Sequence, residues 1–249
     1  MKLDLSRRNV TVNPLLKFVY ALIYALIYAQ TQQLSLIMTS PIDFASINQQ
    51  LREQSPIDII RWALSLHKKT IVTTNFGPHE AAILHMAAQV NQQLPVICVD
   101  HGYNTEATYR FAEDLIQRLT LDMHYYTPTV TAKRRETVYA GIPSIDDEAA
   151  HDAFTREVKL EPFARAMKEF SPEVWLTAIR KEQTPFRDSL DIVTQDSSTG
   201  LIKVAPLFYW TELDLEEYLV ENDLPIEEDY NDPTKVLKDR ECGLHVGKA

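Results

Sequence analysis

Two cysteines, Cys98 and Cys242, are all that 249 residues carry. So few thiols exclude a disulfide framework, a four-thiolate zinc site and a cysteine-ligated iron–sulfur cluster. A pair of thiols so far apart in sequence fits a reducing compartment. Positive charge is also short: 25 Lys and Arg stand against 35 Asp and Glu, a formal net charge of −10. A chain of that sign is a poor general binder of nucleic acid or of an anionic membrane. An anionic ligand would need a local cationic cluster to override the global field. Internal repeats and low-complexity tracts are absent too. None of the histidines forms a pair with the spacing and flanks of a metal site, so no metal is expected.

What is present suits one α/β domain with at most a small appendage. Apolar residues make up 45% of the chain, enough for a sizeable core. Residues 1–37 stand apart. Lys2, Arg7 and Arg8 precede an apolar run, Leu15 to Ala29, interrupted by Lys17. A basic start and a short apolar middle read as a targeting segment, although the run is short for a membrane span. The preferred reading is an over-extended start with Met38 as the natural first residue, because everything after it reads as cytoplasmic protein. Residues 38–220 are then expected to form the α/β domain, and 221–249 a polar tail without a long element.

Within 38–220 the patterns alternate. Ser55-Pro56 reads as an N-cap followed by proline at the first helical position, opening a helix to His67. Lys69 to Thr74 is a β-branched run, a buried strand. Helices are expected over Glu80 to Val90, Thr105 to Leu119 and Glu161 to Phe170, with strands over Pro95 to Val99, Met123 to Tyr126 and Val174 to Ile179. Ile192-Val193 and Leu201 to Val204 flank a polar turn and read as an edge hairpin. Thr211 to Val220 reads as an acidic helix. Alternating strands and helices predict a parallel, doubly wound sheet. Its ligands should sit beyond the carboxyl ends of the strands, near the switch point. The candidate loops are therefore Thr73 to His79, Asp100 to Thr105 and Arg180 to Arg187.

Three groups in these segments could carry chemistry. Thr73, Thr74, Asn75 and Gly77 offer hydroxyls, an amide and backbone N–H groups at the start of a helix, which can hold a phosphate. A plain strand-to-helix turn is the competing reading, and the Walker lysine is missing. Arg180, Lys181 and Arg187 follow the fourth strand. Arginine matches phosphate or sulfate with paired hydrogen bonds, although charges there are often only a solvated rim. Lys133-Arg134-Arg135, on an expected helix, reads as solvent-facing. Cys242 sits in Arg240-Glu-Cys-Gly-Leu-His245, with Lys235, Lys238, Arg240 and His245 nearby in sequence. Surrounding positive charge lowers a thiol pKa. Cys98, mid-strand, reads as a buried small residue. His79 and His101 lie on the candidate ligand loops, each more readily a polar loop residue than a catalyst. His67, His85 and His151 fall on helical patterns and His124 on a strand, with no function required.

Taken together, these segments resemble the PAPS reductase family of thioredoxin-dependent assimilatory enzymes, from about Asp58 to Gly247. Thr73-Thr-Asn-Phe-Gly77 looks like the family's phosphate loop. Asp100-His-Gly-Tyr103 with Thr108-Tyr-Arg-Phe111 looks like its D-T-G-Y…E-T-Y-R-F stretch. Ile179-Arg-Lys-Glu-Gln183 with Arg187 looks like its L-R-R-E-Q-S-x-x-R segment. Glu241-Cys-Gly-Leu-His245 matches its tail motif letter for letter. The resemblance implies an adenine nucleotide α-hydrolase-like fold, a homodimer and a C-terminal catalytic tail that closes over the nucleotide. It implies that Cys242 attacks the sulfur of a sulfonucleotide and becomes S-sulfocysteine, which thioredoxin then reduces. The substrate would be held by Thr73, Thr74, Asn75, Gly77, Asp100, Gly102, Arg180, Lys181, Arg187 and His245. No metal or flavin is required by this route.

Relatives that reduce the nucleotide lacking the 3′-phosphate carry the cysteines of an iron–sulfur cluster. Two cysteines cannot, which favours the 3′-phosphorylated substrate. The chain departs from the family pattern at His101, at Thr105-Glu-Ala107 and at Thr184-Pro-Phe186. The family's polar G-D-x-x-T-T loop before the tail is also absent: Tyr230-Asn-Asp-Pro-Thr-Lys235 runs almost directly to Glu241. Two other readings stay open on residues alone. One is an adenylating sibling on the same fold, for which Thr73 to Pro78 lacks the S-G-G-x-D-S loop. The other is a nucleotide binder without catalysis, which would have no use for a tail thiol.

Overall fold

The computed structural model describes residues 43–234 together with Ile23. The apolar N-terminal run and the tail bearing Cys242 and His245 lie outside the described residues. The chain divides into two units between Asp43 and Phe44, and the sheet, the helices named below and the cleft belong to the second. Among the described residues no helix is long and apolar enough to cross a membrane.

Six strands form one sheet: β1 (Thr70–Thr74), β2 (Pro95–Val99), β3 (Asp122–Tyr126), β4 (Val174–Leu176), β5 (Val193–Gln195) and β6 (Ile202–Val204). Their order is β3-β2-β1-β4-β6-β5. All neighbours pair in parallel except β5 with β6, which form the expected antiparallel edge hairpin. Ile71 lies opposite Trp175, and Thr73 opposite Ile97. From β1 the chain winds outward to β2 and β3, then returns to the other side of β1 as β4. That reversal is the switch point at which doubly wound sheets bind ligands.

The helices are α1 (Phe44–Leu51), α2 (Pro56–Ser65), α3 (Glu80–Val90), α4 (Glu106–Leu119), α5 (Ala132–Tyr139), α6 (Glu148–Thr155), α7 (Glu161–Phe170), the short α8 (Pro185–Asp188) and α9 (Glu212–Glu221). Their ends follow the sequence. The Ser55 hydroxyl accepts from Asp58 N–H, with Pro56 in the first turn of α2. Thr105 caps α4 and accepts from Thr108 N–H at 3.0 Å. Phe111, Leu115 and Leu119 of α4 turn inward, and Ile116 packs against the same core while partly exposed. In α3, Ala81, Ala82, Ile83, Leu84, Met86 and Ala87 are all buried. A helix apolar nearly all round belongs inside, and its alanines let it lie close to the sheet.

Three expectations need correction. Arg135 does not face solvent with Lys133 and Arg134. Its side chain is 11% exposed, pairs with Glu157 and lies 5.0 Å from the Phe154 ring centroid, because α5 packs that side on the helix behind it. His67 is past the end of α2 with φ +53°, in the turn before β1. The fourth strand is short: it ends at Leu176, after which Thr177 N–H still reaches Val204 O at 2.9 Å.

Residues 140–160, where the sequence suggests only a helical pattern around His151, hold α6 and a π-helical turn, Arg156–Leu160, that runs without a break into α7. Pro162 has no N–H to offer the carbonyl four residues back, and its ring crowds that carbonyl. The wider turn accommodates both, with Glu161 N–H donating to Arg156 O.

Two predictions follow from packing. Asn48, 7% exposed, donates to Val193 O at 2.9 Å and accepts from Val193 N–H at 2.8 Å, tying α1 to the edge strand. Asn48→Ala strands two buried backbone groups and should cost about 1–3 kcal/mol in urea unfolding. Cys98 is 2% exposed, and burial pushes its thiol far above the usual range. Iodoacetamide at pH 8 should leave Cys98 unmodified in the native chain and alkylate it only after unfolding, read by peptide mass spectrometry.

Candidate active site

The loop after β1 fixes one wall. Thr74 Oγ1 accepts from Phe76 N–H at 2.9 Å, and Asn75 Oδ1 accepts from Gly77 N–H at 3.1 Å. Glu80, in the first turn of α3, accepts from the Thr74 hydroxyl and from Asn75 N–H at 3.0 Å. The left-handed residue here is Phe76, φ +53° and 2% exposed, rather than Gly77. Burial of its ring and the Thr74 bond hold that strained backbone. Gly77 matters through space instead: a Cβ there would lie 3.1 Å from Asn75 Oδ1. Three successive N–H groups of this loop thus have side-chain acceptors inside the chain, one of them a carboxylate. An incoming phosphate would take over donors already used to an anion.

Beyond β1 and β4 opens a cleft. Thr73, Thr74, Asn75 and Glu80 form one side, and Thr177, Ala178 and Ile179 follow from β4. Ile97, Val99 and Phe163 make an apolar floor. Trp175 braces it, with Nε1 donating to Thr73 Oγ1 at 2.9 Å and its ring centroid 5.2 Å from that of Phe163. Polar groups converge from His101, Asn104, Lys159, Gln183, Arg187 and Asp232. Among the described residues, Thr177 Oγ1 and Asn104 Oδ1 are buried without a hydrogen-bond partner, two groups for a ligand to satisfy.

The cation segment after β4 is organised by Gln183. Its amide oxygen accepts from Arg180 N–H at 2.9 Å and from the Arg187 guanidinium, and so holds that side chain on the cleft. Arg180 lines an adjoining cavity with Gly77, His79 and Tyr230. Burial lowers its pKa, against the pull of Glu212. A half-desolvated guanidinium gains strongly from an added anion. His79 is held below the ordinary histidine range, by burial first and by Arg180 second. Its ring and the Glu212 and Glu216 carboxylates bring ligand atoms within 4.8 Å of one another. Glu212 also acts as a counter-charge to Arg180.

The remaining candidates from sequence sit elsewhere. Lys181 pairs with Asp188 at 3.5 Å, lies over the Tyr209 ring and lines neither cavity. Asp100 accepts from Tyr109 OH at 2.7 Å and from Gly102 N–H at 2.9 Å, shaping the turn after β2. Gly102 has φ +79°, and a Cβ there would stand 3.0 Å from that of Ala132. Both residues build the loop that delivers His101, and neither lines the cleft. His101, 4% exposed, accepts from Tyr103 N–H at Nδ1, so Nε2 carries the ring proton and faces Asp232 Oδ1 at 3.9 Å.

Lys159 and Asp232 were not foreseen. Their side chains, 6% and 1% exposed, form a buried ion pair inside the cleft. Lys159 comes from the π turn. Asp232 comes from a stretch with neither helix nor strand, which nonetheless closes one side of the site. The available signals were slight: a lysine between Val158 and Leu160 in a mostly charged stretch, and an aspartate two residues before a threonine.

Comparison with known proteins agrees with this geometry. The family model described as the phosphoadenosine phosphosulfate reductase domain matches residues 69–233. The chain is 34% identical over 180 residues to a phosphoadenosine 5′-phosphosulfate reductase of Synechococcus, covering 72% of this chain and 77% of that one. It is 31% identical to the Photobacterium profundum protein of the same name, over 74% and 72% of the two chains. The structure resembles that of phosphoadenylyl-sulfate reductase from Candida auris in its phosphate complex. The TM-score is 0.66 and the identity 27%, over 76% of this chain and 90% of the other. With its mostly parallel sheet wound as in adenine nucleotide α-hydrolases and its cleft at the switch point, the chain belongs to the phosphoadenosine phosphosulfate reductase family.

Proposed function

We propose that the chain reduces 3′-phosphoadenylyl sulfate to sulfite and adenosine 3′,5′-bisphosphate in sulfate assimilation, with Cys242 as nucleophile and thioredoxin as electron donor. Family membership supplies the reaction. The observation that supports the site assignment is the burial, in the cleft wall, of the segment that precedes Cys242 in sequence. Thr234 is wholly buried and bonded to Lys159 of the cleft, and Cys242 follows eight residues later. Eight residues span at most about 29 Å, a length that allows the thiol to reach this cleft.

In the first step the Cys242 thiolate attacks the sulfur of the sulfo group. The S–O bond to the 5′-phosphate breaks, and adenosine 3′,5′-bisphosphate leaves with the electron pair. Negative charge then gathers on the departing phosphate, and Arg187 and Arg180 are the cations arranged to receive it. In the second step one thioredoxin thiolate attacks the Cys242 sulfur and releases sulfite. The second thioredoxin thiol resolves the mixed disulfide, supplying the two electrons in total. The apolar floor of Ile97, Val99 and Phe163 suits a purine ring, and the unpartnered Thr177 and Asn104 atoms suit its polar edge or the ribose. A homodimer and a reducing, cytoplasmic setting belong to the same reading, because the nucleophile must stay a free thiol between turnovers.

The test is incubation of the full chain with radiolabelled sulfonucleotide, with and without the 3′-phosphate, in the absence of thioredoxin. The label should appear on Cys242, more readily from the 3′-phosphorylated nucleotide, and leave as sulfite when thioredoxin is added. Cys242→Ser should abolish sulfite release while nucleotide binding stays near normal. Arg187→Ala should weaken binding of adenosine 3′,5′-bisphosphate roughly ten- to a hundredfold, the worth of one charge-assisted contact. Sulfite release by Cys242→Ser would overturn the assignment.

A further inference from the structure

Two helix starts meet at the rim of the adjoining cavity. His79 stands immediately before α3, and its carbonyl accepts from Ala82 N–H at 3.1 Å. Its ring caps no N–H of that helix. Glu212 and Glu216 stand one turn apart at the beginning of α9, so their carboxylates share a face. A capping box fixes that beginning: Thr211 Oγ1 accepts from Asp214 N–H at 3.2 Å, and Asp214 Oδ2 accepts from Thr211 N–H at 2.7 Å. Between the two glutamates Leu215, 2% exposed, packs into the core and lines the same cavity as His79. One ring nitrogen and one oxygen from each carboxylate thus come within 4.8 Å of one another.

Glutamates one turn apart on an exposed face are common, and like charges so placed repel slightly. The imidazole, brought from a different helix, changes the reading. Among the described residues none of these three side chains makes a hydrogen bond or a direct ion pair, so nothing in the protein accounts for their convergence. One imidazole nitrogen and two carboxylate oxygens are a donor set for a divalent transition metal. Mg²⁺ and Ca²⁺ prefer oxygen alone, whereas imidazole suits zinc. His79 is half-buried and held below the ordinary histidine range, by burial first and by Arg180 second. Its ring is therefore neutral near pH 7 and keeps a lone pair for a metal. We propose that His79, Glu212 and Glu216 form a binding site for a zinc-type divalent cation. The two carboxylates balance the charge of the ion, which offsets the nearness of Arg180. Three protein ligands leave a tetrahedral position open, to water or to an anion from the cavity that Arg180 lines. The ion ties the start of α3 to the start of α9. Spacing in sequence hides such a site, because the histidine and the glutamates come from opposite ends of the α/β domain.

The test uses the full chain, freed of metal by a chelator, with Zn²⁺ as the probe. Cys242 and His245 are also zinc-binding residue types, so every protein compared carries Cys242→Ser and His245→Ala. Calorimetric titration should show one site. His79→Ala, and Glu212→Gln with Glu216→Gln, should each weaken it at least about tenfold, the scale that even outer partners of a metal command. Zn²⁺ should raise the unfolding temperature of the parent and leave that of His79→Ala unchanged, since an ion that binds only the folded state stabilises by mass action. If His79→Ala unfolds earlier than the parent without metal, His79→Gln replaces it and must show the same loss. X-ray absorption of the zinc-loaded parent should show one imidazole among oxygen neighbours. The proposal falls if the parent binds no zinc, if either set of variants binds it undiminished, if equimolar Mg²⁺ displaces it, or if the zinc shell contains no histidine.

Discussion

A parallel sheet offers the carboxyl ends of adjacent strands to one ligand only where its winding reverses. Here that place lies between β1 and β4, and the site depends on it. β1 delivers Thr73 and the loop to Gly77, while β4 delivers Thr177 and, a few residues on, the Gln183–Arg187 segment. The two strands are held in register by ladder hydrogen bonds and by the Trp175–Thr73 contact. A slip of one residue would turn every side chain of β4 to the opposite face. The geometry that joins threonines to arginines is therefore set deep in the core, far from any exposed loop.

Charge within the site is settled internally. Glu80 occupies donors of the β1 loop, and Asp232 occupies Lys159. Gln183 Oε1 accepts from the Arg187 guanidinium on the cleft wall. In a chain with a net charge of −10 such local cations matter, because a substrate bearing several negative charges gains little from the overall field.

Much of this was legible in the residues. The helix Glu80–Val90 and the strand Pro95–Val99 have the limits that their patterns suggest. Capping residues such as Thr105 and Ser55 act where short polar side chains precede an apolar stripe. The loops that follow strands do border the cleft, because winding order decides that and strand patterns reveal winding order. What stayed hidden was non-local. Lys159 and Asp232 are 73 positions apart, and neither carries a mark of its pairing in its own neighbourhood. Arg135 was read as solvated because a three-residue basic cluster usually is, and the Phe154 ring that covers it comes from another helix. Lys181 and Arg187 look alike in sequence. Only the fold shows that one turns to Asp188 and the other to the cleft.

The π turn before Pro162 has an implication for how such chains diverge. A proline inside a long helix is ordinarily a defect, and selection would be expected to remove it. Here it follows a π turn that aims Lys159 inward, while α7 keeps Phe163, Ala166 and Met167 packed on the sheet. Swapping the proline for a good helix former would strengthen the isolated helix and rotate that lysine off its target. Local helical stability and the aim of a single side chain are in conflict at this position, and the sequence keeps the aim.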